Sequence, residues 1–275
     1  AAQADYARVI GVLYDRGYFA PQVSIKINGQ EAASLSLVRP ISNVRTVVVR
    51  VQTGPRFRFG RARISPVPSQ ATLPEDFADG RVATTGTMKA AVESGINSWR
   101  SIGHAKAALA AQTIVARHNA DELDADIRLA PGPKLRFGDL QVSGTKRMRT
   151  KRVKEIASLP TGKVFDPDEI DQARTRLRRT GVFSSIALSE AETISPDGTL
   201  DIEAQLTETK PRRFGFGAEF STDDGFAFNG FWLHRNLFGG AERLRIGGEV
   251  SGLGGMTGGT DYELTLAFSR PATFN

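Results

Sequence analysis

The residues able to do chemistry are few and scattered. His104, His118 and His234 are the only histidines, and they lie far apart in the chain. They read as solvated or structural side chains rather than a metal set. Asp121, Asp124 and Asp126 have the look of a calcium loop but lack its glycine and its distal glutamate. They read as residues of turns and strand ends. The glycine run from Gly252 to Gly259 has neither a phosphate-loop lysine nor dinucleotide spacing, and reads as a loop. There is no nucleophile elbow, no HExxH segment and no cysteine, so thiolate chemistry and disulfides are excluded. No enzyme activity, metal, cofactor or small-molecule substrate is expected.

Charge is the remaining candidate. The 275 residues carry a net charge of +6, and Gly144 to Thr180 holds eleven basic against five acidic residues, which matches the whole excess. Its core is Lys146, Arg147, Arg149, Lys151, Arg152 and Lys154, followed by Arg174, Arg176, Arg178 and Arg179. Nucleic acid is not the expected partner, because no stacking aromatics are interleaved. A solvated helix face is the plain reading. A basic patch against anionic lipid headgroups is the sharper one.

Those charges sit in a repeat. Gly-Pro-Arg-Phe-Arg-Phe-Gly from Gly54 returns as Gly-Pro-Lys-Leu-Arg-Phe-Gly from Gly132, 78 residues later. Arg-Gly-Tyr-Phe at Arg16, Ile-Gly-His-Ala at Ile102 and Thr-Gly-Val-Phe at Thr180 mark the same point of three copies, the last two again 78 apart. Two motifs at one offset indicate tandem domains. The third copy reads as a strand over Leu135 to Val142, a helix over Thr150 to Ser158, and a second helix opened by Asp166-Pro167-Asp168. Ile170, Ala173 and Leu177 form its buried stripe, Gly181 ends it, and strands follow near Ser185 to Glu190 and Leu200 to Thr207. The order is β-α-α-β-β. In copy two, Ala105 to Val115 is alanine-rich and helical on propensity, but the repeat assigns it to a strand. His104 and Ala105 replace larger apolar residues there, so looser packing is expected. Copy one offers only the second helix, Ala4 to Arg16, and strands Gln22 to Ile27 and Arg45 to Gln52, so the chain is expected to start within a domain.

Composition changes near Pro211. Thirteen of 28 glycines and nine of 16 phenylalanines fall in the last 65 residues. Phe214, Phe216, Ala218 and Phe220 alternate with Arg213, Gly215, Gly217 and Glu219; Leu244, Ile246, Gly248 and Val250 alternate with charged or small residues; and Tyr262, Leu264, Leu266 and Phe268 do the same. Period two with a mixed-charge face suits a soluble sandwich or a membrane barrel with a polar lumen. Strands of about ten residues match the length that crosses a bilayer at a tilt. Trp232, Phe238 and Tyr262 suit interfacial belts. Four such strands leave open edges, so further chain is expected beyond Asn275.

A series of such modules before a barrel resembles the Omp85 superfamily, whose periplasmic POTRA domains precede an outer-membrane barrel. Gly-Phe-Gly-Ala-Glu-Phe-Ser-Thr-Asp-Asp-Gly from Gly215 is similar to the first barrel strand of its TamA branch, and His234-Arg235-Asn236-Leu237-Phe238-Gly239-Gly240-Ala241-Glu242 resembles the superfamily's turn between strands two and three. Three copies also suit that branch better than the five of BamA or the two of two-partner secretion transporters. The division expected is residues 1–54 as a partial first POTRA domain, 55–132 and 133–210 as the second and third, and 211–275 as the first four antiparallel strands of a truncated transmembrane β-barrel. The resemblance implies assembly of outer-membrane proteins, autotransporters among them, from unfolded clients, in contact with outer-membrane lipid and a TamB-like partner anchored in the inner membrane. It implies a lateral gate at Arg213, Phe214, Gly215, Phe216, Gly217, Ala218, Glu219 and Phe220. The strand bearing Val23, Ile25 and Ile27 becomes a candidate β-augmentation edge. A BamA-like insertase, a two-partner secretion pore, or from another class a soluble repeat scaffold or adhesin, are the alternatives.

Overall fold

A computed structural model describes residues 2–34, 43–255 and 259–272. The chain divides into two compact units, Ala1–Pro133 and Lys134–Asn275.

The first unit opens with α1 (Ala2–Tyr14), β1 (Gln22–Ile27), β2 (Gln30–Glu31) and β3 (Val47–Gln52). Asn28 and Gly29, both at positive φ, close β1 onto β2 as a tight hairpin, the geometry that Asn-Gly favours. The strands run in the order β2-β1-β3. Then come β4 (Arg58–Ser65), α2 (Thr85–Arg100), β5 (Ala108–Arg117) and β6 (Glu122–Ala130), with β6 central, parallel to β4 and antiparallel to β5. Alternation along β6 puts Leu123, Ala125, Ile127 and Leu129 into a core with Phe57, Phe59, Phe77 and Met88. Each fully buried large side chain of this kind is worth about 1.5–3 kcal/mol of transfer free energy.

Two features of this module differ from the sequence expectation. Residues 66–84 form no helix, so the module has one helix where two were expected. Pro66, Pro68 and Pro74 fall in that stretch and withhold the N–H groups a helix needs. Phe77 fills the space from the loop, with its ring 5.3 Å from that of Phe59. The second difference is at His104 and Ala105, where packing is not loose. Ala105 is buried, the His104 ring meets Trp99 edge-on at 4.8 Å, and its Nδ1 lies 2.8 Å from the Gly132 carbonyl oxygen. The alanine-rich segment is a strand, as the repeat requires, because pairing with β6 along its length outweighs its helical propensity.

The second unit contains β7 (Arg136–Ser143), α3 (Thr150–Ala157), α4 (Pro167–Arg179), β8 (Phe183–Glu190) and β9 (Thr199–Glu208). Its sheet order, β7-β9-β8, repeats that of the preceding module, with a parallel first pair and β8 at the edge. The Asp166 carboxylate caps α4 by accepting from the Asp168 N–H, and Pro167 begins the helix. Ile170, Ala173 and Leu177 are buried on α4, and Leu200, Ile202, Ala204 and Leu206 are buried on β9. The glycine after the last α-helix of each module, Gly17, Gly103 and Gly181, has φ of +87, +106 and +66°, a positive-φ turn that only glycine makes without strain.

The unit ends in an antiparallel meander, β10 (Arg212–Ser221), β11 (Gly225–His234), β12 (Arg243–Gly254) and β13 (Asp261–Ser269), paired in sequence order. Register places Phe214 beside Trp232, Ala218 beside Phe228, Phe220 beside Phe226, Ile246 beside Leu266 and Val250 beside Tyr262, all on one face. That face is bare: Phe216 is 87% and Leu264 81% exposed. The other face carries Arg213, Glu219, Asn229, Arg245, Glu249 and Glu263. No helix among the described residues is long and apolar enough to cross a membrane, which is a statement about helices and not about strands.

Candidate functional site

The polar residues of the second unit converge where α3 meets the near end of the meander. The turn joining β11 to β12 folds around one carboxylate. Glu242 is 3% exposed, and its Oε2 accepts from the N–H groups of Phe238 at 3.2 Å and Gly240 at 2.8 Å. Asn236 Oδ1 accepts from the Ala241 N–H at 3.0 Å, and the Glu242 carbonyl accepts from Leu237 at 3.0 Å. Gly239 has φ of +81°, and a Cβ on it would stand 2.9 Å from the Arg147 carbonyl oxygen. The turn therefore needs glycine twice over, for conformation and for close approach to the preceding module.

Helix α3 grips this turn with its leading residue. The Arg149 N–H donates to the Gly239 carbonyl at 2.9 Å, and its guanidinium lies 3.7 Å from Glu242 Oε1, with Arg270 on the same oxygen at 4.0 Å. Burial works against the Glu242 charge. The N–H groups of Glu242 itself, Gly240 and Phe238, together with the Arg149 cation, nevertheless hold its carboxyl below the usual range. One turn along, Arg152 is buried, pairs with Glu155, and donates to the Pro271 carbonyl at 2.6 Å beyond the end of β13. At the base, Glu208 Oε1 receives the N–H groups of Lys146, Arg147 and Met148 at 2.8, 2.9 and 2.8 Å. Burial raises the Glu208 pKa and these three donors lower it, with the net shift downward.

The basic segment is thus not one patch. Arg152 is buried and Arg149, although its side chain is 57% exposed, is engaged at the joint, while Lys146, Arg147, Lys151 and Lys154 are exposed. Sequence reading missed this division because a charged residue on a short helix looks solvated by default. It also missed Glu208 and Arg270, for which no local pattern exists. Asn236 and Glu242 did carry a signal, since both lie in the turn segment from His234 to Glu242.

The strand bearing Val23, Ile25 and Ile27 requires a correction. β1 lies between β2 and β3, and the Ile25 N–H is already held by Glu31 Oε1 at 3.0 Å and the Tyr6 hydroxyl at 3.1 Å, so this edge is closed at its middle. The corresponding strand of the next module, β5, pairs among the described residues only with β6 and borders an apolar groove of about 240 Å3 against α2, lined by Met88, Val92, Leu109 and Ile114.

On the meander, Arg213 to Phe220 lie in β10, which pairs with β11 and has no strand on its other side among the described residues. Phe231 lies across Gly215, under the Arg245 guanidinium at 4.3 Å, and a Cβ on Gly217 would come within 2.7 Å of the Asn229 side chain. Both glycines leave room for a neighbour. The histidines stay apart, each against an aromatic ring: His104 on Trp99, His118 on Phe57 and His234 on Trp232. Asp124 pairs with Arg117 at 3.0 Å, and Asp121 occupies a turn at φ of +52°. Among the described residues, no group of three His, Asp or Glu could hold a metal ion.

Comparison with known proteins follows this division. Residues 135–209 match the family model described as POTRA, surface antigen variable number repeat. The outer membrane protein assembly factor BamA of Neorickettsia risticii (strain Illinois) is 20% identical over 217 residues, covering 76% of this chain and 28% of that protein. BamA from Haemophilus ducreyi lacking POTRA domains 1–3 superposes with a TM-score of 0.62 at 15% identity, covering 76% of this chain and 39% of that one. BamA POTRA3–5 from Haemophilus influenzae gives 0.55 at 13% identity, covering 75% and 80%. The fold is that of POTRA domains leading into strands of an outer-membrane barrel. Residues 135–209 are a POTRA domain by their match to that family model, and the POTRA-to-barrel arrangement is the fold seen in the BamA structures. The chain spans little more than a quarter of the length of its BamA relative.

Proposed function

We propose that this chain forms the POTRA domains and first barrel strands of an assembly factor that inserts and folds outer-membrane proteins, with autotransporters among its clients. On this reading residues 1–54 are part of one POTRA domain, 55–132 and 133–210 two more, and 211–275 the start of the barrel. The observation that carries it is the meander itself: β10 to β13 follow the last POTRA module and bare one apolar face, with Phe214, Phe216 and Phe220 of β10 exposed as a lipid-facing strip would be. Clients on their way to β10 add first to the free edge of β5, where the groove against α2 takes alternate side chains. No chemical step is involved.

Within the superfamily we favour the TamA type, on the strand from Gly215 to Gly225, with a TamB-like partner in the inner membrane. A BamA-like insertase is the second reading, supported by the BamA relative. Recovery of a single inner-membrane-anchored protein after periplasmic crosslinking favours the first, and recovery of soluble or lipid-anchored accessory proteins the second.

The test of the gate uses the absence of native cysteine. A cysteine at Ala218 should form disulfides with cysteines in the terminal strand of a client during assembly in proteoliposomes. A cysteine at Leu264 in β13 should not. Equal crosslinking from both strands, or none from Ala218 while assembly proceeds, removes the gate from the mechanism.

A further inference from the structure

Beside the Glu242 turn lies a cleft of about 710 Å3 lined by Arg147, Lys210, Arg212, His234 and Asn236, with no carboxylate in its wall. Arg147, Lys210 and Arg212 have no ion pair among the described residues. Glu208, whose charge Arg147 feels, is engaged by three backbone N–H groups. Asn236 is 6% exposed, and while its Oδ1 holds the Ala241 N–H, its Nδ2 donates to nothing among the described residues. His234 Nδ1 accepts the Asn236 N–H at 3.3 Å, which leaves the proton of the neutral ring on Nε2 as a further donor. The cleft is a set of cations and unused donors without an acceptor.

Register fixes its depth. Arg212 pairs with His234, and the next rung on the same face is Phe214 with Trp232, the first rung of the bare apolar strip. Residues two apart on a strand are separated by about 6.6 Å. Cationic donors thus end the lipid-facing strip at the level where a headgroup phosphate lies above its acyl chains. We propose that this cleft binds the phosphate of an anionic phospholipid of the periplasmic leaflet, seated between the last POTRA module and the first two barrel strands. A free phosphate offers the same chemistry, but the adjoining Phe214 and Trp232 of the strip favour the lipid.

The inference rests on the outer-membrane reading and is tested separately from it. The full-length protein in micelles is titrated with phosphatidylglycerol, with phosphatidylcholine and with inorganic phosphate, and bound lipid is counted by native mass spectrometry. The wild type should retain one phosphatidylglycerol in preference to phosphatidylcholine. Arg147→Gln, Lys210→Gln and Arg212→Gln together should weaken this about a hundredfold. The matched removal of three charges on α4, Arg174→Gln, Arg178→Gln and Arg179→Gln, should leave it unchanged. Full retention by the first triple variant, equal loss in the control, no headgroup preference, or binding of inorganic phosphate alone would each overturn the proposal. Should the triple variant not fold, as judged by heat-modifiable migration, Arg212→Gln alone decides: about a fivefold loss is expected, and unchanged affinity refutes the site. Failure to associate with micelles at all counts against the outer-membrane reading instead.

Discussion

Gly215 faces Phe231 across the β10–β11 ladder, and Phe231 is pinned from its other side by Arg245. Adding a methyl group at Gly215 pushes on a ring with little freedom to yield. Gly215→Ala should destabilise the meander by about 1–3 kcal/mol, the usual cost of overpacking, and Phe231→Leu should relieve much of it. A double-mutant cycle in urea provides the measurement, and independent effects would show that the two do not touch. Glu242 invites the companion experiment. Glu242→Ala orphans the Phe238 and Gly240 donors at a cost of about 1–3 kcal/mol per buried group, whereas Glu242→Gln keeps an acceptor and should lose less. A β11–β12 turn that stays equally protected from hydrogen exchange in the alanine variant would contradict this role. The glycines of β10 were legible in the sequence but their reason was not, since alternation gives the face and never the neighbour across the ladder.

At the level of elements, Glu208 ties the loop ahead of α3 to the end of β9, and Glu242 ties α3 to the barrel turn. Both carboxyls are held below their ordinary pKa in the folded protein. A depressed folded value means that the stabilisation is complete above the ordinary carboxylate range and fades as pH falls through the lowered value. The joint should therefore be tight at neutral pH and loosen in acid. Protection of the Arg149, Phe238 and Gly240 amides from hydrogen exchange, corrected for intrinsic rates, should be high at pH 7 and fall in acid, and Glu208→Gln should flatten the acid limb. The modules themselves could be read from the chain because a motif pair at one offset fixes strands, second helices and left-handed glycines together. The missing helix over 66–84 could have been read as well, since three prolines stand in it. The closure of β1 could not, because Tyr6, Glu31 and Ile25 meet only in the folded module.

For the whole molecule, the exposed strip across β10 to β13 is the feature that lipid would cover in the proposed barrel. Its cost of disruption should depend on depth. Phe216→Arg, at the middle of β10, should destabilise the inserted protein by about 2–4 kcal/mol, and Phe238→Arg, in the turn at the rim, by about 0–1 kcal/mol. Equal effects in reversible unfolding from lipid vesicles would mean that the strip does not span a bilayer. Alternation and strand length made the strip legible without any structure. What they left open, sandwich or barrel, is decided by the fold shared with BamA.

The two grips of α3 have a mechanical side. Arg149 holds the β11–β12 turn and Arg152 holds the chain leaving β13, while β10 is joined to the last module by the short link of residues 209–211 that follows β9. Rotation of that module about the link would carry the far strands on a long arm and β10 on a short one. On the proposed gate, the module is then a crank whose pivot sits beside β10, and turning it would shear the sheet past the strand proposed to receive clients.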